Sequence, residues 1–171
     1  MTQSSERLLI PGPAGNIETV VDRPESDNLR GFALIAHPHP LYGGALENKV
    51  AQTLAWAFRD LGFLAIRPNF RGVGQSEGQH DLGVGETDDL AHIVVWARER
   101  FGIDPHVKPV LAGFSFGSYV SVRLAQRIEV ERMVLVGTAV GRVSGDREYP
   151  AASVPANSVI IHGEVDETVP L

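Results

Sequence analysis

The chain has 171 residues, enough for one domain with a substantial buried core. Its net charge of −6 argues against nucleic acid and anionic membrane surfaces as partners, and the absence of cysteine excludes disulfides and thiolate metal sites. No apolar run approaches the roughly 18 residues of a membrane span, and the N-terminus lacks the basic and apolar regions of a signal peptide. We therefore expect a cytoplasmic protein without a membrane partner.

The first part of the chain predicts a hairpin followed by a buried strand. Residues 1–5 are expected to form a disordered tail. Two short β-like runs, Arg7–Ile10 and Asn16–Asp22, flank a turn rich in proline and glycine. Gly31–Ala36 is a continuous apolar run, which is typical of a strand covered on both faces.

Helix and strand patterns alternate in the rest of the chain. A helix is predicted from about Leu46 to Leu61. Its predicted buried face consists of Val50, Leu54, Phe58 and Leu61. The later elements are strand Phe63–Arg67, a helix that starts at Thr87, strand Pro109–Ala112, helix Phe116–Ile128, strand Arg132–Val136, a loop from Gly137 to Pro155 and strand Ser158–His162. This order predicts one α/β domain over residues 1–171, with a mostly parallel central sheet and helices on both faces.

The stretch from Gly113 to Gly117 reads Gly-Phe-Ser-Phe-Gly and lies between a predicted strand and a predicted helix. In that context Gly-x-Ser-x-Gly predicts a sharp turn with Ser115 at its tip. The turn strains the serine backbone, and the two glycines leave room where side chains would clash. The next helix directs its unpaired N–H groups at the serine. A turn serine without any chemistry is the alternative interpretation.

Loops of unusual composition follow four predicted strands, at residues 37–44, 69–78, 113–117 and 163–168. The carboxyl ends of parallel strands meet at one edge of a sheet, and active sites of open α/β sheets lie at that edge. The sequence therefore predicts an active site where these loops converge.

Four motifs in these loops resemble the α/β-hydrolase superfamily, and within it a group of small, cap-less bacterial hydrolases. The motifs are His-Pro-His-Pro-Leu-Tyr-Gly-Gly (37–44), Asn-Phe-Arg-Gly-Val-Gly-Gln-Ser-Glu-Gly (69–78), Ala-Gly-Phe-Ser-Phe-Gly (112–117) and His-Gly-Glu-Val-Asp-Glu-Thr-Val-Pro (162–170). The resemblance covers about Phe32 to Leu171. It implies an α/β-hydrolase fold and the chemistry of a serine esterase.

The resemblance assigns Ser115 as the nucleophile and the backbone N–H of Phe116 as one donor of an oxyanion hole. The second donor comes from the loop over 37–44. The two prolines at positions 38 and 40 have no N–H, which leaves His39 or Leu41, and the resemblance aligns His39 with the donor. Tyr42 and Phe114, together with Phe116, are expected to form the apolar lining of the substrate pocket.

The remaining triad members follow the nucleophile in chain order. The resemblance assigns Asp166 as the acid, with Asp146 as the alternative. The catalytic histidine is expected after Asp166 and beyond Leu171, in a further strand, loop and helix that would complete the fold. Without that strand the sheet would have an open edge, so a homo-oligomer is possible.

The six histidines present have other expected roles. His37 and His39 are expected to shape the oxyanion loop through hydrogen bonds rather than to bind metal. His162 is expected to be packed in a strand, and His92 and His106 to lie at the surface. His80, which follows the glycine-rich turn, is a minor candidate for a place near the site.

Two other motifs have simpler explanations. Gly72 and Gly74 resemble a dinucleotide-binding loop, but that motif needs glycine at the position of Glu77. Arg71 and Ser76 are expected to form structural hydrogen bonds in this turn. The acidic cluster over 86–89 suits a helix N-terminus. Neither a cofactor nor a metal is expected.

The sequence thus predicts a serine hydrolase that cleaves a small carboxylic ester, or less readily a thioester or amide, through an acyl-enzyme on Ser115. Its partner is a small-molecule substrate. A non-catalytic binding or scaffold protein with the same fold, and an acyltransferase with the same nucleophile, are the alternatives.

Overall fold

The computed structural model describes residues 5–26, 28–143 and 147–164. The strands in these ranges are β1 (Ser5–Gly12), β2 (Gly15–Asp22), β3 (Gly31–Ala36), β4 (Phe63–Pro68), β5 (Val110–Phe114), β6 (Arg132–Val136), β7 (Gly141–Val143), β8 (Arg147–Tyr149) and β9 (Val159–Ile161). The helices are α1 (Lys49–Asp60), α2 (Val84–Phe101) and α3 (Phe116–Ala125), with a short 3-10 helix at Pro40–Tyr42. No helix within the described ranges has the length and apolarity needed to cross a membrane.

Seven strands form one sheet in the order β1-β2-β4-β3-β5-β6-β9. β1 and β2 pair antiparallel as the predicted hairpin, and β2 joins β4 antiparallel. The pairs β3–β4, β3–β5, β5–β6 and β6–β9 are all parallel. The predicted sheet, mostly parallel with an N-terminal hairpin, is confirmed.

β3 lies in the middle of the sheet and is buried on both faces. Phe32 and Leu34 belong to the larger core, which includes side chains of α2 and α3. Ala33 and Ile35 belong to a second core that packs against α1. Because successive side chains of a strand point to opposite faces, a continuous apolar run can supply both cores. The prediction of helices on both faces is confirmed.

The predicted buried face of α1 is right for Phe58 and for Leu54, which packs against the core, but wrong for Leu61. The structure buries Ala51, Ala55 and Phe58, whereas Leu61 at the end of the helix is exposed. Alanine side chains are short, so the two buried alanines allow close packing of α1 against the sheet. The helix also starts later than predicted, because the Asn48 side chain caps it and accepts the N–H of Val50 at 3.0 Å.

α2 begins one turn earlier than predicted, at Val84 rather than Thr87. The Glu86 carboxylate accepts the N–H groups of Asp81 and Gly83, each at 2.8 Å, and so caps the helix. Asp89, in the next turn, binds the Arg71 guanidinium through two hydrogen bonds of 2.8 Å. These carboxylates therefore have capping and pairing roles, as the sequence suggested.

The stretch predicted as a loop from Gly137 to Pro155 contains a two-stranded antiparallel ribbon, β7–β8, which is separate from the main sheet. Tyr149 of β8 is buried, with its ring 4.8 Å from that of Tyr119 and 6.0 Å from that of Phe116. Strands of three residues lack the length over which alternation can be recognised, so the sequence pattern missed them. The ribbon lies beside the start of α3.

Candidate active site

The loops that follow β3, β4 and β5 meet, as predicted. The N–H of Phe70, after β4, donates to Nε2 of His37, after β3, at 2.9 Å. The ring of His39 lies 4.8 Å from that of Phe116, the first residue of α3. The fourth loop of this prediction, residues 163–168, lies outside the described residues beyond Glu164.

Ser115 occupies a strained turn between β5 and α3. Its φ is +53° and its ψ is −116°, a region that residues other than glycine seldom adopt. Its N–H donates to Val136 O at 2.9 Å, and its carbonyl oxygen accepts the N–H of Ser118 at 3.0 Å. The predicted strain at this serine is confirmed, and main-chain bonds on both sides hold it.

The two glycines of the motif are required by close backbone contacts. A Cβ atom on Gly117 would lie 2.5 Å from His37 O and would also clash with Ala36 O. A Cβ atom on Gly113 would lie 2.5 Å from the carbonyl carbon of Gly117. Real Cβ atoms do not approach backbone atoms this closely, so a side chain at either position would push α3 away from β3 or β5.

The loop after β3 presents a backbone N–H at His39. The side chain of His39 caps the 3-10 helix, since its Nδ1 accepts the N–H of Leu41 at 3.2 Å. The Leu41 N–H is therefore engaged. The N–H groups of His39 and Phe116 have no recorded acceptor within the part of the chain that the structure describes.

His37 and His39 are neutral and shape this loop, which confirms the prediction for both. Nδ1 of His37 donates to Pro38 O at 2.7 Å, while its Nε2 is the acceptor for Phe70. Burial lowers the pKa of His37 to about 4. Burial also lowers the pKa of His39 to about 4, and the nearby His80 ring and Arg147 guanidinium act in the same direction.

His80 lies closer to the site than its minor place in the sequence analysis suggested. Its ring centroid is 4.8 Å from that of His39 and 5.3 Å from that of Phe116. Its Nδ1 lies 2.8 Å from Glu86 Oε1, and its side chain is only 9% exposed. Both ring nitrogens are buried.

A cavity of about 290 Å³, here called the side cavity, adjoins the Ser115 turn. Its lining residues are His39, His80, Leu82, Phe116, Arg147, Glu148 and Tyr149.

Tyr42, which the sequence predicted as part of the substrate pocket, is not among these lining residues. Its ring is 67% exposed, 4.8 Å from that of His39, with the Arg147 guanidinium 4.4 Å from its centroid. Phe114 is partly buried at the end of β5 and does not line the side cavity either. The substrate-binding roles of Tyr42 and Phe114 remain predictions.

Two further predictions concern Ser76 and the acid of the triad. Ser76 forms structural hydrogen bonds, as predicted, since its Oγ donates to Asn69 O and accepts the N–H of Glu18, both at 2.9 Å. Asp166 and Asp146, the two candidates for the triad acid, lie outside the described residues. Within the described ranges, no group of three or more His, Asp or Glu side chains could hold a metal ion.

Comparison with known proteins gives consistent matches. A family model described as the alpha/beta hydrolase fold matches residues 41–169. The chain is similar to an α/β serine hydrolase without a lid from Xanthomonas campestris, with 36% identity, a TM-score of 0.84, and coverage of 99% of this chain and 76% of that one. It is also similar to an α/β serine hydrolase homologue from Coxiella burnetii, with 39% identity, a TM-score of 0.83, and coverage of 96% of this chain and 76% of that one.

An uncharacterised protein of Rickettsia prowazekii is 33% identical to this chain over 165 residues, which is 95% of this chain and 68% of that protein. The family match includes β4 to β9, the three α-helices and the nucleophile turn, whereas β1 to β3 precede it. The chain therefore belongs to the α/β-hydrolase fold family, and both bacterial structures are described as α/β serine hydrolases or homologues of them.

Proposed function

We propose that this protein is a serine hydrolase that cleaves a small carboxylic ester, thioester or amide through an acyl-enzyme on Ser115. The observation that carries the proposal is the strained backbone of Ser115 at the N-terminus of α3. Strain of about 1–3 kcal/mol at one residue persists where surrounding structure enforces it, and it is concentrated at active sites. Here the backbone bonds to Val136 and Ser118 enforce it.

The backbone N–H groups of Phe116 and His39 are the proposed oxyanion donors. Neither N–H donates to another described residue, and the ring of His39 lies 4.8 Å from that of Phe116, the residue after the nucleophile. The N-terminal end of α3 adds a partial positive charge where the tetrahedral intermediate develops its negative oxygen. Leu41, the other candidate donor, has its N–H bound to His39 Nδ1, which favours His39.

In this mechanism the Ser115 hydroxyl attacks the substrate carbonyl while a histidine takes its proton. The histidine then returns the proton to the leaving alcohol, and water hydrolyses the acyl-enzyme. His37 and His39 use their ring nitrogens to hold the loop, which supports the expectation that the base follows Asp166 in chain order. Asp166 is the proposed acid that orients this base.

The test is labelling and turnover with the full-length protein made from its native gene. A fluorophosphonate should add once, on Ser115, and Ser115→Ala should lower kcat/KM for p-nitrophenyl acetate by roughly a thousandfold or more while the protein stays folded. Ser26→Ala, which changes an exposed serine before β3, is the matched control. Absence of an adduct would support the binding-protein alternative, and partitioning of product toward an added alcohol would support an acyltransferase.

A further inference from the structure

Leu82 has a backbone conformation that its own side chain disfavours. Its φ is +52°, and the next residue, Gly83, has a φ of +93°. Both are the central residues of a turn closed by a 2.9 Å bond from Val84 N–H to Asp81 O. Two positive φ values are those of a type I′ turn, whose first central position ordinarily holds Asn, Asp or Gly.

The fold gains little from leucine at this position. A left-handed conformation costs roughly 1–2 kcal/mol for a residue with a Cβ atom. A leucine could recover that cost by burying its side chain in the core, but Leu82 is 75% exposed. A strained, exposed apolar side chain indicates a function other than stability.

Leu82 lines the side cavity together with the ring-bearing residues His39, His80, Phe116 and Tyr149. His39 and Phe116, the proposed oxyanion residues, form one wall, and the buried ring of Tyr149 forms another. His80 adds the carbon edge of a ring whose nitrogens are enclosed. The uncharged state of His39, whose pKa burial lowers to about 4, keeps this wall neutral at pH 7.

The charged residues of the side cavity both come from β8. The Arg147 guanidinium lies over the ring of Tyr42, a residue that is not part of the cavity lining. Arg147 also hydrogen-bonds to Tyr149. Glu148 is exposed to solvent. The interior is therefore mainly aromatic and aliphatic. The two residues of opposite charge that line it, Arg147 and Glu148, both belong to β8.

We propose that the side cavity is the subsite for an apolar group of the ester substrate and that Leu82 is its specificity-determining residue. This inference rests on the proposed function. At roughly 30 Å³ for each water-sized atom, a cavity of about 290 Å³ holds on the order of ten non-hydrogen atoms. An alkyl chain of about eight carbons or a single ring fits this space.

The experiment compares wild type, Leu82→Gly and Leu82→Ala with two ester series. One series varies the acyl group, from p-nitrophenyl acetate to octanoate, and the other varies the alcohol, from ethyl to octyl acetate. In one of the two series the wild-type kcat/KM should favour the eight-carbon ester, and both variants should lower that preference about tenfold. The series that responds identifies which side of the ester occupies the cavity.

Stability supplies a second readout that separates the two variants. Leu82→Gly removes the strain and should raise the thermal midpoint above wild type, whereas Leu82→Ala keeps the strain and should not. Leu61→Ala, which shortens another exposed leucine at the end of α1, should leave the preference unchanged.

Unchanged preferences in both variants, or a lower thermal midpoint for Leu82→Gly, would overturn the subsite. Fluorophosphonate labelling of Ser115 in the same preparations keeps the two proposals apart. Labelled protein with unchanged preference contradicts only the subsite, while unlabelled wild-type protein contradicts the proposed hydrolase itself.

Discussion

The two segments that flank the nucleophile are held in position by different means. The Ser115 turn depends on glycines and main-chain contacts, with Gly117 lying against the carbonyl of His37. The loop over 37–44 depends instead on two buried imidazoles, His37 bridging to Phe70 and His39 capping the 3-10 helix. The Ser115 turn is held by steric fit, whereas the loop over 37–44 is held by hydrogen bonds of imidazoles, which titrate. We therefore expect steric changes to damage the first and acid to damage the second.

The largest expected effect comes from Gly117→Ala, which should destabilise the protein by at least about 3 kcal/mol or prevent folding, because the new methyl group meets backbone atoms. Gly102→Ala is the matched control. It adds a Cβ in open space at a φ of +61°, so only the backbone strain remains, about 1 kcal/mol. Urea unfolding measures both. Equal decreases in the free energy of unfolding for Gly117→Ala and Gly102→Ala would show that the contact between the two segments is not rigid.

The loop should weaken in acid. The folded-state pKa of His37 is about 4 and its ordinary value is 6.5, so the unfolded chain takes up the proton first. The contribution of His37 to the free energy of unfolding is therefore complete above about pH 6.5 and decreases as the pH falls toward 4. The loss is up to about 2 kcal/mol between pH 6.5 and pH 5, and the same holds for His39. His37→Gln should lower the number of protons that the chain takes up on unfolding by about one, and so should reduce the slope of stability against pH.

Urea unfolding at a series of pH values measures this change in slope. His106→Gln, at an exposed position, is the control for substitution alone. A His37→Gln protein with the slope of wild type would show that other groups cause the acid sensitivity.

Ser118→Ala should have a small effect that is confined to the turn. The Ser118 hydroxyl, fully buried, donates to Gly113 O at 2.7 Å and thereby ties α3 to β5. Its removal should cost about 1 kcal/mol. Ser121→Ala, which removes a longer bond of 3.3 Å to Ala112 O, should cost less. A larger loss for Ser121→Ala than for Ser118→Ala would contradict this assignment.

Local sequence patterns were sufficient for the central elements and for the nucleophile turn. The apolar run over Gly31–Ala36 and the spacing of glycines around Ser115 each specify their structure within a few residues. The predictions for β6 and β3 match the structure at both ends. α2 started early because its cap is a glutamate that bonds backward to Gly83, a signal that the apolar pattern does not include.

Features that depend on distant contacts were not accessible in this way. The approach of His80 to His39 and of Tyr149 to Phe116 joins segments separated by many residues, with no pattern in either segment. Ser118, a small polar residue on a buried helix face, could have been noticed as a tie between helix and strand. The acid stays a prediction because both of its candidates lie outside the described residues.

The contact between Gly117 and the end of β3 also bears on how activity is lost on heating. Both segments of the site follow directly from β3 and β5, two buried and paired strands of the sheet, so we expect the site to open only when these strands separate. Thermal inactivation should therefore coincide with global unfolding rather than precede it. Because the β7–β8 ribbon does not pair with the main sheet, we expect it to open before the sheet does and so to alter substrate preference before turnover falls.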